Sequence, residues 1–361
     1  MSSTPYRSPL LAHPLIVRPG NGRVDVHVVA RSLRDIPGVE VRLMPALSGA
    51  VSADMYGDLP LGLFLLPNGV VRGEAGYIYT SDGDPIIEQN ADFLRKKRFL
   101  RPRFELSEQA ENRAPVLAVD ELVSLKMRCS NGFFHWMTGS LPKVFLAEEV
   151  GFRGHYLLPR RAIAPWAYES MKLLGISEAR LLCDEQRDLH AARLYVPTYF
   201  SGYNAHHNVP FMRLYRDWIR AAVPESLQGV AERVRLFVGR RSGVGVRRVL
   251  NHHEVEERLA AFGFSTVYFE DLSLGRQLQL ACAADIIVGP HGAGLSHTLF
   301  MEDRSVVIEL FPHKRQQSCD CFETLATIAQ HRYFALESAI PCEGDITVDV
   351  QELGRVLSQF V

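Results

Sequence analysis

Three short stretches of this chain combine residue types suited to holding a phosphorylated ligand. Gly289-Pro290-His291-Gly292-Ala293-Gly294-Leu295 follows the apolar run from Ala284 to Val288, a spacing that predicts a buried strand ending in a loop at the start of a helix through Leu299 and Phe300. Amides at a helix start lack acceptors and carry partial positive charge, and glycines at 292 and 294 would let phosphate oxygens approach the main chain. The amides of Gly292, Ala293, Gly294 and Leu295 are the first candidate anion site, with His291 either a hydrogen-bond donor to a diphosphate or a cap or packing residue of the turn. The second stretch, Gly239-Arg240-Arg241-Ser242-Gly243-Val244-Gly245-Val246-Arg247-Arg248, follows the apolar run Val234 to Val238. Its arginines, Arg240, Arg241 and Arg247 among them, either fork onto phosphate oxygens or form a solvated basic loop. In the third, Glu309 ends the run Val306-Val307-Ile308. There a carboxylate either accepts both vicinal hydroxyls of a ribose or faces solvent.

Other motifs carry a plainer reading beside the chemical one. Asp82-x-Asp84 is the kind of pair that holds a divalent ion against a nucleotide-sugar diphosphate, but Asp82-Gly83 between two β-type runs is also a strong turn signal. Asn251 with Glu254 has the spacing of a helix capping box. Cys319-Asp320-Cys321 lacks the second cysteine pair of a zinc site.

Positioning these loops requires strands that end beside one another. From about residue 226 strands alternate with helices, which predicts a mostly parallel sheet with both faces covered and ligands at the C-terminal strand ends. Residues 116–225 show a less regular strand and helix alternation, read as a first doubly wound layer. Residues 1–115 carry short alternating runs rich in Pro, Gly and Val, read as a β-rich section. Residues 346–361 predict a terminal helix. The fold class is therefore α/β, organised as 1–115, 116–225, 226–345 and 346–361.

Composition narrows the partners. With 361 residues and a formal net charge of -1, the chain is long enough for two cores and has no global bias toward nucleic acid or acidic membrane. Six cysteines, mostly in apolar contexts, suit reduced thiols. No run of about 18 apolar residues and no signal-peptide pattern appear, so the expectation is a cytoplasmic protein without an integral membrane segment.

The motifs Asn131-Gly132-Phe133-Phe134-His135-Trp136 with Leu141-Pro142, Phe237-Val238-Gly239-Arg240-Arg241 with Arg248 and Asn251, Gly289 to Leu295 with Leu299-Phe300, and Val307-Ile308-Glu309-Leu310 with Pro312 resemble, in this order, those of the family 61 glycosyltransferases. The resemblance covers roughly residues 116–336. It implies a GT-B-like architecture of two Rossmann-like domains, a nucleotide-sugar donor held mainly by the C-terminal domain, acceptor contacts mainly from the N-terminal half, and inversion at the anomeric carbon. Lacking the anchor or signal usual in eukaryotic members, the chain is similar to bacterial relatives acting in capsule or other surface-polysaccharide assembly, with peripheral association with a membrane-bound pathway. A UDP-sugar is the donor common in that family.

The mechanism expected on these grounds has an acceptor hydroxyl attack the sugar carbon as the nucleoside diphosphate leaves. Arg240, His291 and the nearby amides stabilise the departing charge. His135 is the candidate general base, with Asp or Glu residues of the N-terminal half as competitors and Trp136 beside it offering a face to a sugar ring, although His135 and Trp136 could equally be packed in the core. The donor is a co-substrate, no cofactor is tightly bound, and metal independence is expected. Two rival readings are a metal-dependent GT-A-type transferase using Asp82 and Asp84, and a non-catalytic nucleotide-sugar or polysaccharide-binding protein.

Overall fold

The computed structural model describes residues 36–47, 60–73, 75–84, 117–127, 130–160, 164–183, 188–198, 207–223, 233–241, 247–312, 320–340 and 344–361, the single positions Leu33 and Ile86, and the backbone of 15–17 and 26–28. In chain order the elements begin with β1 (Leu15–Val17), β2 (Val26–Val28), β3 (Glu40–Leu43), β4 (Gly62–Arg72), β5 (Tyr77–Tyr79) and β6 (Leu117–Ser124). Helices α1 (Phe133–His135) and α2 (Leu141–Glu149) flank a π-helical turn, Trp136–Ser140, and lead to β7 (His155–Leu157) and α3 (Pro165–Leu173). Next come β8 (Leu181–Leu182), β9 (Leu189–Pro197), α4 (Val209–Ala222), β10 (Val234–Val238), α5 (His252–Ala260), β11 (Phe264–Val267) and α6 (Leu274–Ala283). The chain finishes with β12 (Ala284–Pro290), a 3-10 helix over Ala293–Phe300, β13 (Val306–Phe311), α7 (Cys321–Ile328), β14 (Arg332–Glu337) and α8 (Val350–Leu357). No helix among the described residues is long and apolar enough to cross a membrane.

Two compact units result. The first comprises Met1–Asn131, Gly139–Ala164 and Ser177–Gly202; the second comprises Gly132–Thr138, Pro165–Ile176 and Tyr203–Val361. In the first unit a seven-stranded sheet runs β3-β4-β9-β6-β7-β8, with β5 also paired to β4. The β9-β6-β7-β8 side is parallel, and β4 joins it antiparallel through β9. Strands from before and after residue 115 thus share one sheet, and Leu66, Leu122, Leu157 and Leu194 sit in one core. The two strands at the heart of this sheet, β4 and β9, were not legible as strands. Pro67, Asn68 and Gly69 interrupt β4 like a turn, and Asn68 has φ 51. Beyond β5, Gly83 donates to the Thr80 carbonyl and Thr80 to that of Asp84, so Asp82 and Asp84 lie in a hydrogen-bonded turn. Cys319 of the Cys-Asp-Cys motif lies outside the described residues.

The second unit is Rossmann-like. Its five strands are all parallel and ordered β11-β10-β12-β13-β14. Numbered within the unit this is the 2-1-3-4-5 order, whose direction of winding reverses between the first and third strands, here β10 and β12. Phe237, Ile286, Val288, Ile308 and Leu310 form a core with Val255 and Leu259 of α5 and with Leu353, Val356 and Leu357 of α8. That explains the apolar stripe on α5, whose other face is charged.

Local departures from the expected elements have identifiable causes. Pro142 lies in the first turn of α2, where a missing N–H costs nothing, so the helix restarts there. Asn251 stands at the start of α5, yet its side chain makes no cap hydrogen bond. Instead Asn251 Nδ2 donates to the Val348 carbonyl and Oδ1 accepts from the Val348 amide, both at 2.9 Å, which corrects the capping-box reading. The helix expected after Gly294 is 3-10 rather than α.

Candidate functional site

In an open parallel sheet the crevice at the reversal point lies outside the C-terminal strand ends. A cavity of about 410 Å³ occupies that position. Val238, Gly239 and Arg240 line it from the end of β10, and Pro290, Gly292, Ala293 and Gly294 from the end of β12. Phe269, Glu270 and Gln277 contribute from beyond β11, and Phe133, Trp166 and His297 complete the lining.

One part of this lining is suited to an anion. The amides of Gly292, Ala293 and Gly294 donate to no described residue. Arg240 makes no hydrogen bond or ion pair among the described residues, and its Nη1 lies 3.2 Å from where a Cβ on Gly292 would stand. Burial and then the Arg247 charge lower its pKa, with Glu270 opposing. A partly desolvated cation beside three unpaired amides favours a negatively charged ligand. Gly294 suits its place as well, since a Cβ there would stand 3.0 Å from Val238 Cγ1.

The remaining lining is aromatic. The His297 ring stacks on Phe133 with centroids 5.0 Å apart and lies 4.3 Å from Phe269, while Trp166 meets Phe133 edge-on. Burial pushes the His297 pKa down to about 4, and the hydrogen bond of Nδ1 to the Gly294 carbonyl only partly opposes this. Gln277 Nε2 donates to the carbonyls of Phe269 and Leu272 at 2.8 and 2.9 Å, so its Oε1 is left as an acceptor. The N-terminus of α6 is fixed by Glu169 of α3, whose Oε2 accepts from the Leu274 amide at 2.9 Å. Flat apolar walls with a few oriented polar groups suit a ring such as a nucleobase.

Several residues chosen from the sequence occupy other roles. The guanidinium of Arg241 is bound to Asp271 and lies 3.9 Å over the Tyr268 ring, so its fork is engaged away from the cavity lining. Gly239 allows that arrangement, because a Cβ there would stand 2.6 Å from Tyr268 Cε1. Arg248 is paired with Asp345. Leu295 is buried and its amide closes the 3-10 turn on the Gly292 carbonyl at 2.9 Å, so it offers no donor. Arg247, at φ 73, reaches the His291 carbonyl at 3.3 Å.

Glu309 is also corrected. It is 0% exposed, one oxygen meets His291 Nδ1 and the other accepts from the Tyr333 hydroxyl at 2.7 Å. Both oxygens are engaged and the side chain is wholly buried, so neither oxygen is presented to a ribose. His291 itself is absent from the cavity lining. Trp136 is 0% exposed, with Nε1 donating to Ser170 Oγ at 3.0 Å, which makes it a core residue without a face for a sugar. His135 ends α1, half-buried, with its ring edge-on to Phe134. Among the described residues no cluster of three or more His, Cys, Asp or Glu is arranged to hold a metal ion.

Phe133, Trp166, Phe269, Glu270, Gln277 and His297 had not been singled out as site residues. The strand-end rule that picked Arg240 and Gly292 applies equally to the end of β11, and extending it would have found Phe269 and Glu270.

A parallel sheet with a cavity outside its strand ends at the reversal point is the arrangement of the Rossmann-like class of α/β folds. Within that class, residues 133–308 match the family model Glycosyltransferase 61, the family that the motifs resemble. The chain is also similar to proteins named EGF domain-specific O-linked N-acetylglucosamine transferase. It is 33% identical over 90 residues to that of Drosophila melanogaster, 24% of this chain and 17% of the fly protein. It is 32% identical over 92 residues to that of Gallus gallus and 34% over 96 residues to that of Xenopus laevis, covering 17% and 18% of those proteins. The matches therefore span less than a fifth of the relatives' length. Both comparisons support a glycosyltransferase. These relatives are animal enzymes, not the bacterial capsule type expected from the sequence.

Proposed function

We propose that the protein is an inverting, metal-independent glycosyltransferase of GT-B type. It holds the diphosphate of a UDP-sugar on Arg240 and the amides of Gly292, Ala293 and Gly294, and transfers the sugar to a hydroxyl of a glycan or other acceptor. The observation that carries this reading is the coincidence, on one cavity at the strand-order reversal, of an arginine and three amides that have no partner among the described residues. As the bond to the diphosphate breaks, negative charge accumulates on the phosphate oxygens, and donors already in place stabilise it without reorganisation. The aromatic lining receives the nucleoside. N-acetylglucosamine is the proposed sugar, on the strength of the relatives' names.

The test is calorimetric titration with UDP and UDP-N-acetylglucosamine, followed by measurement of UDP release with and without EDTA. The expected result is saturable UDP binding and chelator-resistant release. Absence of UDP binding removes the donor reading. Release abolished both by EDTA and by Asp82→Asn moves the chemistry to the Asp82 and Asp84 turn.

A further inference from the structure

His291 is held in a way that phosphate binding alone does not require. Its amide donates to the Leu310 carbonyl at 2.8 Å, carrying the pairing of β12 with β13 one residue past Pro290. Gly289 is in register with Glu309, so alternation along the strands puts His291, Glu309 and Phe311 on one sheet face. There the ring stacks on Phe311 at 5.1 Å and meets Phe322 edge-on at 5.2 Å. Nδ1 faces Glu309 Oε1, and the other Glu309 oxygen receives the Tyr333 hydroxyl.

A wholly buried carboxylate with one hydroxyl donor needs a second donor, and the Nδ1 hydrogen is the one available. This fixes the tautomer. The proton sits on Nδ1, and Nε2 is the ring nitrogen left to meet a ligand. It bonds to no described residue, and the side chain keeps 11% of its surface exposed. Should Nε2 take a proton, the adjoining carboxylate stabilises the imidazolium that forms. His291 directly precedes Gly292, which lines the cavity from the end of β12, so the ring stands next in the chain to the proposed diphosphate donors.

We propose that His291 is the general base of the transfer and that Glu309 and Tyr333 are positioning residues for it. This rests on the donor reading above and replaces His135 in that role. The acceptor O–H bond breaks and its proton goes to the Nε2 lone pair. The oxygen's electron pair forms the new bond to the anomeric carbon, and the bond from that carbon to the diphosphate oxygen breaks, its pair leaving with UDP.

The experiment uses the full chain, UDP for binding, and UDP-N-acetylglucosamine with water as the acceptor hydroxyl. In His291→Gln, UDP release should fall by about a hundredfold or more, the range typical of a lost acid-base group, while the UDP dissociation constant stays within about twofold. Glu309→Gln should show the same split with a smaller fall, and Glu309→Asp should restore part of the rate. Nitrogen NMR of histidine-labelled protein, with the His291 signal assigned by its loss in His291→Gln, should show the proton on Nδ1. In Glu309→Gln the tautomers should mix, and in Tyr333→Phe the Nδ1 form should persist. UDP affinity that falls in step with the rate in His291→Gln makes His291 a phosphate ligand and overturns the proposal. So does undiminished release in His291→Gln, or a proton on Nε2 in the parent protein. A parent protein that binds no UDP overturns the donor reading and the base together, whereas intact UDP binding with unchanged release in the variants overturns the base alone.

Discussion

Arg240 and Arg241 are chain neighbours with the same side chain and opposite commitments. The guanidinium of Arg241 is neutralised by Asp271 and stacked on Tyr268, and its backbone amide donates to Glu270 at 3.0 Å. Arg240 has no such partner among the described residues and lines the cavity beside Gly292. A hydrogen bond to a charged partner contributes about 1.5–3 kcal/mol, so Arg240→Ala should raise the UDP dissociation constant by roughly ten- to a hundredfold in calorimetry. Arg240→Lys should recover part of the loss, because an ammonium supplies charge without the planar fork. Arg241→Ala should leave UDP affinity within about threefold, since rim charges contribute little. Equal weakening by the two alanine variants would contradict the division of roles between them. Sequence could not separate this pair, because the distinction depends on Asp271 and Tyr268, about thirty residues further along the chain and brought close by the β10 and β11 pairing.

At the level of elements, the segment from β12 into the 3-10 helix acts as one piece. The His331 Nε2–H donates to the Thr298 carbonyl and the His297 Nδ1–H to the Gly294 carbonyl, both at 2.9 Å, fixing the helix whose first residues carry the free amides. Gly294→Val would place its Cβ against Val238 at 3.0 Å and extend methyl groups toward the cavity. UDP binding should drop by about a hundredfold while the melting temperature moves by only a few degrees, since the cost of such overpacking is about 1–3 kcal/mol. Unaltered UDP affinity would take the ligand away from these amides. The same segment shows why this unit was readable in advance. Its strands are continuous apolar runs closed by Gly, Pro or Arg, because a parallel strand is buried on both faces and its neighbours in the chain are helices. In the first unit β9 reads Leu-His-Ala-Ala-Arg-Leu-Tyr-Val-Pro, with a burial pattern set by β4 and β6 rather than by its own composition. Residues whose roles depend on pairing across the chain, such as Glu309 with His291 or Asn251 with Val348, were visible as candidates but not in their actual tasks.

Over the whole molecule, buried ionisable groups give the two units different responses to pH. In the second unit burial holds both His297 and His331 down to about 4 from an ordinary 6.5; for His331 the Thr298 hydrogen bond raises the value and Arg216 lowers it further. Such groups bind their proton in the unfolded chain first, so the stability they contribute is complete above pH 6.5 and is lost as pH falls toward 4. Each should contribute a slope of about 1.4 kcal/mol per pH unit across that window. In the first unit Lys143, 4% exposed, is lowered by burial from 10.5 to about 8. Below pH 8 it is charged in both states and its desolvation penalty is constant; between 8 and 10.5 the unfolded chain binds more protons, and stability rises with pH. Lys143→Met should therefore stabilise the protein at pH 7 and lose that advantage near pH 10.5. His297→Asn, whose amide can still donate to the Gly294 carbonyl, should make the acid limb less steep, leaving the His331 share, and leave the alkaline limb alone. Denaturant titrations from pH 4 to 10.5 on the parent and the two variants check both signs. An acid limb unchanged in His297→Asn would mean that this ring is not held neutral, and with it would go the account of how the 3-10 helix beside the cavity is fixed.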